Sequence, residues 1–201
     1  MTEEKTAYHH GDLRAALLAA AESVLAETGV EGFSLRRVAR EVGVSHSAPA
    51  HHFGDTQGLL AAMATAGFRR FLAAMQARQA ACASDDPEAL LTASGLGYLD
   101  FTLAAPALFK LMFGSDRVDT CDPDLEKASA AAFDHLARDI ARLRGVSPYD
   151  DQDAMADVMA SWSMVHGFAS LLLSGRMHRV QAMTQVEREA FFRKVFARVT
   201  H

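Results

Sequence analysis

The residues of this chain best suited to specific polar contacts are concentrated between Ser34 and Phe53, in SLRRVAREVGVSHSAPAHHF. Ser34, Ser45 and Ser47 bring hydroxyls, His46, His51 and His52 bring imidazoles, and Arg36 and Arg37 bring fixed positive charge. Histidine is first of all a metal ligand, and His9, His10, His46, His51 and His52 are five of the nine in the chain. Adjacent histidines point to different sides of a helix, however, and no Cys or acidic residue completes a ligand set at recognisable spacing. No metal and no other cofactor is therefore expected. Catalysis is excluded on similar grounds, since no nucleophile with a base, carboxylate pair or metal triad stands at usable spacing. The chain does not read as an enzyme. What remains is hydrogen bonding and charge, the chemistry that recognises phosphate oxygens and base edges.

The elements around these residues account for their display. Ser34 caps a helix whose apolar Leu35, Val38, Ala39 and Val42 share one face, and Phe33 staples onto Val38. Gly43 stops that helix, Val44 plugs the corner, and Ser45 caps a second helix of mostly polar side chains. Two helices joined by a tight Gly-containing turn form a helix-turn-helix, whose second helix is built to lie in the DNA major groove. On that reading Ser45, His46 and Ser47 face base edges, His51 lies nearer the backbone, and His52 packs beside Phe53. Pro49 falls late in the first turn, so the helix is expected to lose one backbone bond and to be short or distorted. Histidine titrates between pH 5 and 8, so binding through these residues should strengthen in acid.

Composition narrows the setting. At 201 residues the chain is one ordinary domain or a small domain fused to a larger one, and with 50% hydrophobic residues it has ample material for a core. The formal net charge of -5 excludes a protein that coats nucleic acid indiscriminately, so any DNA contact must use local positive charge. Cys82 and Cys121 lie far apart without metal spacing and read as reduced, incidental thiols. The apolar runs are broken by charge or His before membrane-spanning length, and MTEEKTAYHHGD has no apolar signal region, so a soluble, cytoplasmic protein is expected.

The periodicity predicts an all-α chain of about nine helices, with no alternating strand pattern and no internal repeat. A first helix spans 12–28, with Leu13, Leu17, Ala20, Ala21 and Val24 packing on the helix-turn-helix. A fourth, capped by Asp55, runs to about Ala81 and is long enough to link a small head to a separate body. The break at 82–89 precedes helices at 89–104, from Pro106, at 123–143, at 150–174 and at 184–199. The helix at 89–104 is apolar nearly all round, which predicts burial on most sides. The organisation expected is a three-helix head over 1–54 and a helical body over 55–201.

This order of features resembles the TetR family of transcriptional regulators. The resemblance is most specific over GVEGFSLRRVAREVGVSHSAPAHHFGDTQGLL, Gly29 to Leu60, and a second match lies in WSMVHG, where Trp162, His166 and Gly167 are similar to the motif of the WHG-type C-terminal domain. A YHHGDLRAAL lead, Tyr8 to Leu17, often accompanies that domain. Two positions depart from the family pattern: Ala50 stands where a Tyr is usual, and Thr56 where a Lys is usual. By resemblance both positions contact phosphate, so the grip should be thinned and its load shifted to Arg36, Arg37 and the amide ends of the second and fourth helices.

The resemblance implies a double-stranded DNA operator contacted by Ser34, Arg36, Arg37, Ser45, His46, Ser47, His51 and Thr56. It also implies a small hydrophobic or aromatic effector held among Phe101, Phe109, Met112, Phe113, Phe133, Met164, His166 and Phe168. It implies a homodimer too, paired through the last two helices at Met159, Trp162, Phe192, Val195 and Phe196, placing two recognition helices on half-sites of a pseudo-palindrome. The expected function is a repressor released from its operator by the effector. The alternative is an α-helical small-molecule- or partner-binding dimer with weak or lost DNA binding.

Overall fold

The computed structural model of the chain describes residues 10–119 and 121–198, which form ten helices. These are α1 (His10–Thr28), α2 (Leu35–Val42), α3 (Ala48–Phe53), α4 (Thr56–Ala80), α5 (Pro87–Ala104), α6 (Pro106–Gly114), α7 (Pro123–Arg144), α8 (Gln152–Leu173), α9 (His178–Gln181) and α10 (Gln185–Phe196). Among the described residues there is no strand, and the all-α expectation holds. The tenth helix is α9, a single turn too short to carry a readable period. The expectations placed on Tyr8 and His9 lie outside the described residues.

Helix ends follow from a few side chains. Gly43 closes α2 in the left-handed conformation, φ 74°, and returns its N–H to the carbonyls of Ala39 and Arg40. Pro87 opens α5 while Asp86 accepts the N–H of Ala89 at 3.0 Å, and Asp151 does the same for Ala154 of α8 at 2.8 Å. Thr184 and Glu187 form a reciprocal capping box on α10, and the bonds from Thr184 hold the Glu187 carboxyl below its ordinary value.

Two expected starts are corrected. Ser34 has the extended backbone of a cap, and its carbonyl accepts from Val38 at 3.2 Å, but its hydroxyl makes no cap bond. The third helix begins at Ala48 rather than after Ser45, with Pro49 in its first two positions and buried. There the proline sacrifices no hydrogen bond, because a first-turn N–H has no acceptor within the helix. The result is a short helix of six residues.

The chain divides into two compact units, Met1–Gly67 with Ala107–Glu126, and Phe68–Pro106 with Lys127–His201. In the first, Leu17, Ala21, Val24 and Leu25 of α1 are fully or almost fully buried with Val38 and Ala39 of α2 and Leu59 and Leu60 of α4. Gly67 brings α4 against α6: a Cβ there would lie 2.6 Å from the Met112 sulfur. Arg117 ties the loop after α6 back to the Val30 carbonyl.

The second unit is organised around α5, where Leu91, Ala93 to Leu99, Phe101 and Thr102 are all buried. Its glycines make the close approaches. A Cβ on Gly95 would meet the Phe192 ring at 3.0 Å, and one on Gly97 would lie 2.5 Å from the Ala74 carbonyl oxygen and from the backbone of Met75 on α4. Two polar linkages hold the last turns of α4. Arg78 bridges Asp100 of α5, bidentately, and Glu189 of α10 at 2.7 Å, which raises the guanidinium pKa and lowers that of Glu189. Gln79 donates to buried Asp139 of α7 at 2.8 Å and to the Leu90 carbonyl at 3.2 Å. Beside it, the buried His135 Nε2 lies 3.7 Å from Asp139 without a hydrogen-bond partner among the described residues.

Gly97→Ala tests the contact of α4 with α5. A methyl at 2.5 Å from backbone cannot be absorbed by rotamer change, so we expect a loss of about 2 kcal/mol or more, read as a lower urea midpoint at unchanged slope. A midpoint equal to that of the parent protein would show that the helices separate at no cost.

Candidate functional site

The turn between α2 and α3 sets the geometry of the first candidate site. Val44 returns its N–H to the Ala39 carbonyl at 3.0 Å, and Val38, Ala39 and Pro49 are buried beneath it. With the apolar side so committed, Ser45, His46, Ser47 and His51 are left exposed, and the Ser45 and Ser47 hydroxyls bond each other at 3.1 Å. Ser45, His46 and Ser47 thus stand in the turn leading into α3 rather than in its first helical turn. His52 packs beside Phe53 as expected, ring centroids 6.2 Å apart.

The charge on this surface is sparse. Between His10 and Gly67 there are four arginines, Arg14, Arg36, Arg37 and Arg40, no lysine, and six carboxylates. Arg36 and Arg40 are exposed, one turn apart on α2. Arg37 is ion-paired with Glu27 of α1, which narrows the phosphate-binding role expected of it. Thr56 is half-buried at the first position of α4, and the amide end of that helix is occupied by its own neighbour, because Asp55 accepts the Gly58 N–H at 2.9 Å. An anion site at this end, expected from the sequence, would have to displace a carboxylate. At α2 the uncommitted Ser34 hydroxyl leaves that expectation standing. Sequence reasoning missed Arg14, whose guanidinium carbon lies 5.0 Å from the centre of the Phe53 ring. Its only signal is its place in the lead segment, since a contact between α1 and the end of α3 has no spacing to read.

The residues expected around an effector fall into both units. In the first, Phe109 is buried and pairs with half-buried Phe113, centroids 5.0 Å apart, and Met112 packs toward Gly67. In the second, Phe101 and Phe168 are buried, Phe133, Met164 and His166 are half-buried, and Phe133 meets Trp162 edge-on at 5.9 Å. A polar group missed from the sequence sits here: the Tyr98 hydroxyl lies 2.7 Å from His166 Nδ1. Burial pushes the Tyr98 phenol up and the His166 imidazole down, so both are neutral near pH 7. The Trp162 indole nearby offsets part of that rise for Tyr98. With both groups neutral, one proton is shared along the Tyr98 Oη–His166 Nδ1 line. Tyr98 was legible only as one more apolar position of α5.

The expected pairing surface is corrected in part. Phe192 and Phe196 are 0% and 2% exposed, stacked at 5.7 Å, with Phe192 against Phe168 at 5.4 Å. They fill the interior of their own chain and have no surface to offer another. Val195 and Trp162 are half-buried, and Met159 is exposed together with Leu171 on α8 and Val186 on α10. Among the described residues no three His, Cys, Asp or Glu side chains come together to hold a metal ion.

Comparison with known proteins covers both parts of the chain. The sequence profile described as "Bacterial regulatory proteins, tetR family" matches residues 17–63, and that described as "Tetracyclin repressor-like, C-terminal domain" matches residues 91–199. The HTH-type transcriptional regulator BetI of Burkholderia thailandensis is 38% identical over 96 residues, a match that spans 47% of this chain and about half, 49%, of that protein. The structure of a protein of unknown function from Rhodococcus sp. RHA1 is 35% identical, covering 96% of this chain and 98% of that one with a TM-score of 0.77. A TetR variant from Acinetobacter baumannii AYE in complex with minocycline shares the fold at 19% identity, over 92% of this chain and 90% of that one with a TM-score of 0.60.

The buried imidazoles set a pH dependence. Burial holds His135 and His166 below the ordinary value, so the unfolded chain takes up protons that the folded chain refuses once the pH falls below about 6.5. Stability should be full above that pH and decline below it, whereas the depressed carboxyls Glu187 and Glu189 act only in stronger acid. Urea midpoints at pH 7.5 and 5.5 should differ, and His166→Gln should shrink the difference. Identical midpoints at the two pH values would contradict the assignment.

Proposed function

This chain belongs to the TetR family of bacterial transcriptional regulators, and we propose that it is a ligand-responsive repressor acting as a homodimer on a pseudo-palindromic operator. Its DNA-binding part is the head over 1–54, and its effector-binding and pairing part the body over 55–201. The observation that carries the reading is the α2–α3 corner. Gly43 turns the chain, Val38, Ala39 and Pro49 anchor it, and Ser45, His46, Ser47 and His51 are exposed together. Arg36 and the open start of α2 at Ser34 are the phosphate contacts, with Thr56 at the start of α4 and Arg37 subordinate because Glu27 competes for it.

In the body, Phe101, Phe133, Met164 and Phe168 supply apolar and aromatic surroundings in which the neutral Tyr98–His166 pair is the polar element. That chemistry suits a small hydrophobic or aromatic effector. The A. baumannii protein of this fold in complex with minocycline supports a small-molecule ligand. A second copy is supported by exposed Met159, Leu171 and Val186 with half-buried Trp162 and Val195 on α8 and α10. Gly167 adds to this: it lies inside α8, yet an added Cβ would meet nothing within 4 Å among the described residues. A helical glycine costs about 1 kcal/mol relative to alanine, so a close approach from outside the chain gives it a reason. Release follows if the effector binds better to a dimer whose heads no longer match the operator spacing. The protein is read as cytoplasmic.

The sparse positive charge of the head and the Asp55 cap favour a second reading, a helical small-molecule- or partner-binding dimer with weak DNA affinity. Retardation of a fragment carrying the region upstream of its own gene, across a salt series, separates the two. The repressor is expected to retain the fragment at low salt, to lose affinity steeply as salt rises, and to migrate alone as a dimer. No shift at the lowest salt would favour the second reading, and a monomer at micromolar concentration would count against both.

A further inference from the structure

We propose that Arg14 is a phosphate-contacting residue of the DNA interface, presented beside the end of α3 by the ring of Phe53. The assignment rests on the DNA-binding reading above and goes beyond the residues that reading uses.

Arg14 is exposed on α1, and its guanidinium carbon stands 5.0 Å from the centre of the Phe53 ring. A ring attracts the cation through its quadrupole but offers no oxygen acceptor, so the five N–H donors of the fork gain no hydrogen-bond partner from it. Among the described residues no carboxylate pairs with Arg14, in contrast to Arg37, which is bound to Glu27. The location suits a phosphate. Phe53 is the last residue of α3, two residues beyond exposed His51 and three before the start of α4 at Thr56. Ala50 and Phe53 are three apart and share a side of α3, so Arg14 stands one turn from an exposed methyl that cannot bond an anion.

A recognition helix in the major groove has the sugar–phosphate backbone along its flanks, and a cation at the end of α3 meets that flank. Arginine fits the role better than lysine, because its planar guanidinium stacks on the ring and still presents two parallel N–H groups to phosphate oxygens. Holding the side chain on Phe53 before DNA arrives also lowers the rotamer entropy lost on binding. In a head with four arginines and no lysine between His10 and Gly67, one more usable cation is a large fraction of the whole.

The test uses the full chain, a short mixed-sequence duplex at low salt and the fragment upstream of its own gene, with affinity followed by fluorescence anisotropy across a salt series. Arg14→Met keeps an apolar stem over Phe53 and Arg14→Ala removes it. Both should weaken binding about tenfold and reduce the slope of log K against log salt by about one. Arg14→Lys should restore the slope and part of the affinity. Thermal unfolding of each variant separates a folding defect, which would lower the transition temperature without changing the slope. Parent-like affinity and slope in a folded Arg14→Met protein would overturn the assignment while leaving the DNA-binding reading intact. If the unaltered protein binds neither DNA at low salt, that reading fails first and Arg14 with it.

Discussion

The second unit depends on a helix with no free side. Most of α5 from Leu91 to Thr102 is buried, and at Gly95 and Gly97 the approach is close enough that a methyl group would collide with the Phe192 ring or with the backbone of α4. Helix axes that come this near are positioned by main-chain volume rather than by adaptable side chains, so their separation has little latitude. The same helix carries both polar connections at its flanks, Tyr98 to His166 of α8 and Asp100 to Arg78 of α4. Three helices are thereby referred to α5, by steric contact, by a neutral hydrogen bond and by a charged one.

The buried polar groups show how such a core tolerates chemistry. Tyr98 and His166 bond each other as two neutral groups, so the pair is satisfied without enclosing a charge. Asp139 is more demanding, since it is 2% exposed and depends on Gln79 at 2.8 Å and on Arg142 at 3.4 Å. His135 beside it lacks a partner for Nε2 among the described residues, a deficit of about 1–3 kcal/mol that the surrounding apolar contacts must offset.

Much of this was legible from local pattern. Gly43, the burial of Val38 and Ala39, Pro87 at the head of α5 and the cap by Asp55 all follow from neighbours a few residues apart. The failures share a cause, which is that the deciding contact is distant in sequence or internal to a turn. Serine commonly caps a helix, yet Ser45 bonds Ser47 and the helix waits for Ala48 and Pro49. Phe192 and Phe196 have the spacing of an interface stripe, and only Gly95 and Phe168, far away in the chain, reveal that the stripe faces inward. Arg14 over Phe53 and Tyr98 on His166 are through-space pairs that no periodicity encodes. Arg37 is paired by Glu27, ten residues earlier on another helix.

The pairing of Arg37 with Glu27 has a consequence in time as well as in affinity. Attachment to random DNA is driven by displaced counterions, so on the proposed reading a head that withholds one of four arginines would dwell briefly at each wrong site. Against a genome of competing sequence, short dwell times leave more of the protein unbound and moving. In the dimer proposed above, residence would then depend on both heads meeting their half-sites at once, where the second contact is made at high effective concentration. A carboxylate that weakens one grip in this way would sharpen the distinction between a matched pair of sites and a single accidental one.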